Sequence, residues 1–217
     1  MSGLYCELCI APRGVEEARG LARLLRSLGF RWVAVDASTP ERARALAEVV
    51  RGEGVEAYSR VTVEASDWSQ AARMVKRLYE EVDLVAVRPR SAEAARHAAR
   101  DRRVAVVQLS PGMARYMDKS EAMLLRESGS VVEVRLSTLL GGGDPRLGLR
   151  GVMVIARRAA AYEAAFAASS CARSVWEAWP PMSVVGLLAS FGVPVPAARL
   201  AVTGYCLQAL RRARGWR

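Results

Sequence analysis

The chain has 217 residues, is 52% hydrophobic and 25% charged, and carries a formal net charge of +10 with a pI of about 10.2. That length and hydrophobic share exclude a disordered chain and allow one sizeable core. The charge excess points to a polyanionic partner, and no apolar run is long enough for a membrane span: the richest segment, Ala159 to Ala168, is short and holds Glu163.

Strand-like and helix-like runs alternate from the start. Leu4 to Ile10 reads as a strand, and Val15 to Leu28 as an amphipathic helix ended by Gly29. Arg31 to Asp36 is a second strand; Ser38, Thr39 and Pro40 then cap a helix reaching about Arg51. Val55 to Glu64 is a third strand, and Asp67 opens a helix to Glu81. Asp83 to Arg88 is a fourth, with Ser91 capping a helix to Arg100. Val104 to Leu109 is a fifth strand, followed by a short helix from Asp118 to Glu127. Val131 to Leu136 is a sixth, followed by Gly141-Gly142-Gly143-Asp144-Pro145 and a helix from Arg146 to about Ala165. Phe166 to Ser170 is a seventh strand, and helices follow at Pro181 to Phe191, Pro196 to Leu200 and Thr203 to Arg214.

Repeated β-α units imply a parallel sheet with right-handed crossovers. Seven of them suggest closure into a barrel, although an eight-unit barrel typically needs ~250 residues. The expected fold is therefore a single irregular TIM-type α/β barrel spanning residues 1–217, with short loops. No linker, charge block or low-complexity tract marks a second domain.

The positive charge is almost all arginine, since Lys76 and Lys119 are the only lysines. Arginine forks onto phosphate and stacks on bases. Asparagine is absent, which suits a heat-resistant protein or a G+C-rich gene. Cys6, Cys9, Cys171 and Cys206 are too sparse for a disulfide scaffold, so a reduced, cytoplasmic chain is expected. No signal peptide is expected, because Glu7 and Arg13 interrupt the start.

Candidate catalytic groups are few. Cys6-Glu7-Leu8-Cys9 has the C-x-x-C spacing, but it lies within a strand, which sends the two sulfurs to opposite faces; buried thiols are the plain reading. His97 is the sole histidine and sits in a helix, too little for a histidine-based metal site or triad and better read as a surface or RNA-facing side chain. Glu7, Asp36, Glu64 and Glu133 lie near strand ends. They are either an acid-base set or buried carboxylates paired with arginines, as Glu133 with Arg88 or Arg135. The glycine run before Arg146 and Arg150 lacks the phosphate-loop patterns, but it leads into a helix N-terminus. This keeps open a barrel enzyme acting on a small phosphorylated substrate.

Arginines gather where β/α barrels place their working face. Arg60 lies on the third strand, Arg88 and Arg90 flank Pro89 past the fourth, and Arg173 follows the seventh. The last of these belongs to Ser169-Ser170-Cys171-Ala172-Arg173-Ser174-Val175-Trp176-Glu177-Ala178-Trp179-Pro180-Pro181, a basic loop with an aromatic pair between a strand and a helix. Arg146 and Arg150 start the long helix, and the tail adds Arg211, Arg212, Arg214 and Arg217 beside Trp216. Guanidiniums interleaved with rings are the RNA-binding pattern.

Four segments together resemble a known family. These are Arg96-His97-Ala98-Ala99-Arg100-Asp101-Arg102-Arg103-Val104, Val131-Val132-Glu133-Val134-Arg135-Leu136-Ser137-Thr138-Leu139-Leu140, Arg146 opening the long helix, and Ser169-Ser170-Cys171-Ala172. In order and spacing they are similar to the ribonuclease P protein component 3 family, the archaeal counterpart of the thirty-kilodalton eukaryotic subunit. The likeness runs from about Gly29 to Leu210. Two departures stand out: the family's glycine in S-S-G-A is Cys171, and its arginine before Ser-Pro is Trp179, where Arg173 can substitute. The family is related to metal-dependent barrel phosphoesterases of the PHP class. Here Cys6-Glu7-Leu8-Cys9 stands where that class begins with a histidine motif, so no metal site of that kind is expected.

The resemblance implies a protein subunit without its own active site, which binds and helps fold the catalytic RNA that removes the 5′ leader of precursor tRNA. It implies assembly with ribonuclease P protein component 2, as two copies of each, and with the other protein subunits. It also implies that magnesium is used by the RNA and that this chain binds no cofactor.

Overall fold

Valine- and alanine-rich runs set off by helix caps become strands buried on both faces, as a parallel sheet under helices requires. The computed structural model describes residues 4–140 and 144–212. Its strands are β1 (Tyr5–Ile10), β2 (Phe30–Asp36), β3 (Glu56–Ala65), β4 (Leu84–Pro89), β5 (Val106–Gln108), β6 (Val131–Arg135) and β7 (Phe166–Ser169). All pair in parallel and in chain order. Six helices, α1 (Val15–Ser27), α2 (Pro40–Gly52), α3 (Trp68–Glu81), α4 (Ala92–Arg100), α5 (Lys119–Ser128) and α6 (Pro145–Ala161), each follow a strand. After β7 come α7 (Pro181–Ser190), α8 (Val195–Leu200) and α9 (Gly204–Leu210). This is the expected TIM-type barrel, with seven strands. Among the described residues no helix is long and apolar enough to cross a membrane.

Side-chain caps set the helix starts, Thr39 and Ser91 as expected. Side chains of Thr39, Asp67, Ser91, Asp118 and Asp144 each accept a hydrogen bond from a first-turn amide. The long helix α6 stops at Ala161, short of the predicted Ala165, because the chain turns at Glu163 with φ of 56°. Three short 3-10 turns, Pro111–Tyr116, Leu136–Leu139 and Val175–Glu177, were not foreseen; they are too short to show a period. Gly151 lets α6 rest on the first of them, since a Cβ there would meet Pro111 at 2.4 Å. The glycine run 141–143, the predicted end of the last helix at Arg214, and the tail residues Arg214, Trp216 and Arg217 lie outside the described residues.

Closure is irregular, as the length predicted. Ile10 of β1 meets Ala172, past the end of β7, in an isolated bridge, where the other neighbouring strands form ladders. The seam is held in other ways. The buried Glu7 carboxylate accepts from the amides of Cys9 and Ser170, each at 3.1 Å. Cys6 donates its amide to Val202, and α9 plugs the N-terminal end of the barrel with Cys206, Ala209 and Leu210.

Two expectations about the cysteines are corrected. Cys6 is not a free thiol: it forms a disulfide with Cys206, 200 residues away in sequence. Nor do Cys6 and Cys9 face opposite sides. A register shift in β1 between Glu7 and Ile10 turns both toward the interior, Cys6 to α9 and Cys9 to Cys171 and Glu133. Cys171 has φ of 46°, the left-handed region that favours glycine, and glycine is what the family pattern carries at this position.

Candidate nucleic-acid interface

The barrel interior is apolar near the strand starts and polar near the strand ends. Tyr58, Leu84, Ala86, Val106 and Val131 fill the lower part. Above them, Arg60 lies wholly buried and forks onto Glu133, Nη1 to Oε1 at 2.8 Å and Nη2 to Oε2 at 2.6 Å. Arg60 Nη1 also donates to the Leu8 carbonyl, and Gln108 donates to Glu133. Burial opposes ionisation of Glu133, but the Arg60 charge outweighs it and holds the carboxyl below its ordinary range. Asp36 accepts from Thr62 at 2.9 Å and lies 4.0 Å from Arg60; burial dominates there and raises its pKa.

The polar column continues to the rim. Gln108 accepts from Arg88 Nε at 2.5 Å, Arg88 pairs with Glu64, and Glu64 also accepts from Arg90 Nε at 2.6 Å. At the rim, Arg88 joins Arg13, Arg42 and Arg173 around a cleft of about 360 Å³. Ala11, Pro12, Ala37, Ser38, Asp36 and Thr62 complete it. The four arginines come from the segment after β1, the first turn of α2, the end of β4 and the segment after β7. Arg42 donates to the Arg13 carbonyl, which ties α2 to the loop after β1. Among the described residues, Arg13, Arg42 and Arg173 have no salt bridge. Beyond Arg173, Trp176 stands 91% exposed on the same loop.

The arginines singled out from sequence thus separate into groups. Arg88, Arg90 and Arg173 meet at the barrel mouth as the strand-end argument placed them. Arg60 does not reach the surface; as an RNA-contacting residue it is corrected to a buried partner of Glu133. The paired-carboxylate reading of Glu133 holds, with Arg60 in place of Arg88 or Arg135. Arg146 and Arg150 are exposed on α6 and do not line the mouth cleft, and Arg150 shares a second cleft with Arg115 and Arg158. Arg211 and Arg212 lie beyond α9 at the opposite end, where Arg212 is partly spent on Ser130 Oγ and the Arg102 carbonyl. Sequence reasoning missed Arg13 and Arg42. The signal for both was present: they follow the ends of β1 and β2, the same position that singled out Arg90.

Other candidate groups are engaged. His97 is half-buried and stacks on Trp68 with centroids 5.9 Å apart. At the start of α6 the Asp144 carboxylate accepts from the Arg146 amide at 2.9 Å, so a protein carboxylate takes the place a phosphate would fill. Cys9, Cys171 and Glu133 place one potential metal-ligand atom each within 4.8 Å of one another. Burial pushes the Cys9 thiol up, and Glu133 is already committed to Arg60, whose charge would repel a cation; the trio suits buried thiols better than a metal centre.

Comparisons with known proteins agree with one another. A family profile, RNase P subunit p30, matches residues 4–217. A protein of Aeropyrum pernix, ribonuclease P protein component 3, is 30% identical over 191 residues, covering 87% of this chain and 88% of its own length. A chain in a cryo-EM structure of archaeal ribonuclease P with mature tRNA matches with a TM-score of 0.75 at 15% identity, over 94% of this chain and 89% of that one. At that identity the structural likeness speaks for the fold.

Proposed function

This chain belongs to the RNase P subunit p30 family, and from that premise we propose that it binds and helps fold the catalytic RNA of ribonuclease P. The observation that carries the reading is the barrel mouth. Enzymes of this architecture hold acid-base groups there. Here Glu133 is clamped by Arg60, Glu64 by Arg88 and Arg90, and the rim presents guanidiniums. A site built this way neutralises phosphates and has no free carboxylate pair for proton transfer. Any magnesium used in cleavage would be held by the RNA.

The protein neighbour in this reading is ribonuclease P protein component 2, with two copies of each. Support comes from the C-terminal helices. Val184, Leu188 and Val193 cover the barrel, whereas Met182, Val195 and Leu200 remain exposed. The rival reading, an enzyme for a small phosphorylated substrate, loses its site because Asp144 caps the helix it would use.

The test is reconstitution. Precursor tRNA cleavage is measured with the RNA and the partner proteins, with and without this chain, at low magnesium. Omission should lower the rate, and filter binding to the RNA should weaken steeply with salt, roughly one log unit per phosphate contact per tenfold salt. Unchanged cleavage together with salt-independent binding would overturn the reading. Light scattering on the co-expressed pair tests the partner: a mass above one-to-one is expected, and separate elution refutes it.

A further inference from the structure

The mouth cleft is shaped for a more specific task than general counter-charge. It is a concavity of about 360 Å³, at the low end of the roughly 300–1,000 Å³ typical of ligand pockets. Among the described residues, three of its four arginines, Arg13, Arg42 and Arg173, lack a carboxylate partner, although Glu16, Glu17 and Glu41 are near in sequence. Exposed arginines elsewhere are often paired, as Arg19 with Glu16 and Arg51 with Glu48. The fourth, Arg88, is held in place by a column running through Gln108 and Glu133 to the buried Arg60. The cleft's one carboxylate, Asp36, is occupied by Thr62 and Arg60 below the rim. Convergent, unpaired guanidiniums over a fixed floor form an anion site, and Arg favours a forked phosphate contact.

A second observation extends the site. Trp176 lies three residues past Arg173 and is 91% exposed, an unusual position for the most costly side chain to leave in water. It rides on a 3-10 turn, Val175–Glu177, fixed at its entry where the Arg173 amide donates to Glu177 at 2.9 Å. An exposed indole three residues from an arginine of the cleft is an arrangement that can hold a nucleotide by backbone and base together.

We propose that the barrel mouth is a single-strand RNA site, in which Arg13, Arg42, Arg88 and Arg173 receive one backbone phosphate and Trp176 stacks an adjacent unpaired base. This rests on the RNA-binding reading above and narrows it to one cleft and one kind of RNA segment.

The experiment uses the full chain and a fluorescein-labelled oligouridylate, with anisotropy recorded over a salt series. Arg13→Ala, Arg42→Ala and Arg173→Ala should each weaken binding roughly tenfold, as loss of a charge-assisted contact does, and each should flatten the salt slope by about 0.7. Trp176→Ala should weaken binding with the slope unchanged, since stacking releases no counterion. Arg44→Ala, on the exposed side of α2, carries the same charge change and should alter neither. Circular dichroism melts confirm that each variant folds, and Arg173→Lys, which keeps the charge and loses the fork, should restore the slope more than the affinity.

If the native chain binds RNA and the cleft variants behave like Arg44→Ala, the cleft proposal fails while the general RNA reading stands. If the native chain binds neither the oligonucleotide nor structured RNA, both fail. A parallel titration with inorganic phosphate, followed by phosphorus NMR, separates the sources. Cleft variants that lose free phosphate but keep RNA affinity would make this a small-anion site and overturn the proposal.

Discussion

Arg60 and Glu133, 73 residues apart in sequence, meet inside the barrel as a two-pronged ion pair sealed from water. The pair fixes β3 against β6 across the interior and anchors the hydrogen-bond column that ends at Arg88. A buried pair costs desolvation to form, yet losing one partner strands the other. Arg60→Met and Glu133→Gln should therefore each destabilise by about 3–5 kcal/mol. The double variant should lose clearly less than the sum, because neither charge is left alone. Urea unfolding of the four proteins measures this; strictly additive losses would show that the two side chains are not coupled.

Glu7 at the β1–β7 seam gives stability a pH dependence. Burial raises its folded pKa from 4.5 to about 7, even though two backbone amides favour the anion. Between those values the folded protein binds more proton than the unfolded chain. The contribution to stability is thus fully present below about 4.5 and lost as pH rises through 7, a change of roughly 3 kcal/mol. Glu7→Gln removes the titration and should flatten the profile between pH 5 and 8 relative to the native chain. Identical slopes for the two proteins in chemical unfolding would count against it.

The Cys6–Cys206 disulfide closes a loop that includes nearly the whole barrel. Cross-linking so long a loop restricts the unfolded chain, and its removal typically costs about 2–5 kcal/mol. Cys206→Ala, or reduction of the native protein, should lower the guanidinium midpoint by a matching amount. Alkylation of the unfolded chain checks the pairing: Cys9 and Cys171 should react without reductant, and Cys6 and Cys206 only after it.

The barrel was legible in sequence because every β-α unit carries its own punctuation. Thr39, Asp67, Ser91 and Asp118 announce helices, and β-branched runs announce strands. The interior was harder to read. In a barrel both strand faces are buried, so the alternation of Tyr58, Arg60 and Thr62 with Ala57, Ser59 and Val61 does not tell a lumen residue from one at the rim. Arg60 accordingly reads from sequence as an RNA-contacting residue. The same ambiguity hid its pairing with Glu133, because partners three strands apart leave no local pattern. Arg13 and Arg42 were lost for a different reason: in a chain this rich in arginine, composition gives no contrast, and only position after a strand end sets them apart. The Cys6–Cys206 bond depends on where α9 returns to β1, which no spacing rule specifies.

The isolated chain should not cleave precursor tRNA. Metal-dependent phosphoester hydrolysis needs carboxylate or histidine ligands facing a site that admits solvent. Here His97 is stacked on Trp68, Glu133 is held by Arg60 and Gln108, and Asp36 is held by Thr62 beneath four arginines. A magnesium ion entering the mouth would meet guanidiniums before it met a carboxylate. The check is a single-turnover assay of labelled precursor tRNA with magnesium or manganese, using protein purified away from cellular ribonucleases. The substrate should remain intact until the RNA subunit is added. Cleavage by the protein alone would assign chemistry to this chain if it also disappeared in Asp36→Asn, a variant that removes the mouth's carboxylate. Cleavage that persisted in that variant would point to a contaminating nuclease and leave the RNA as the catalyst.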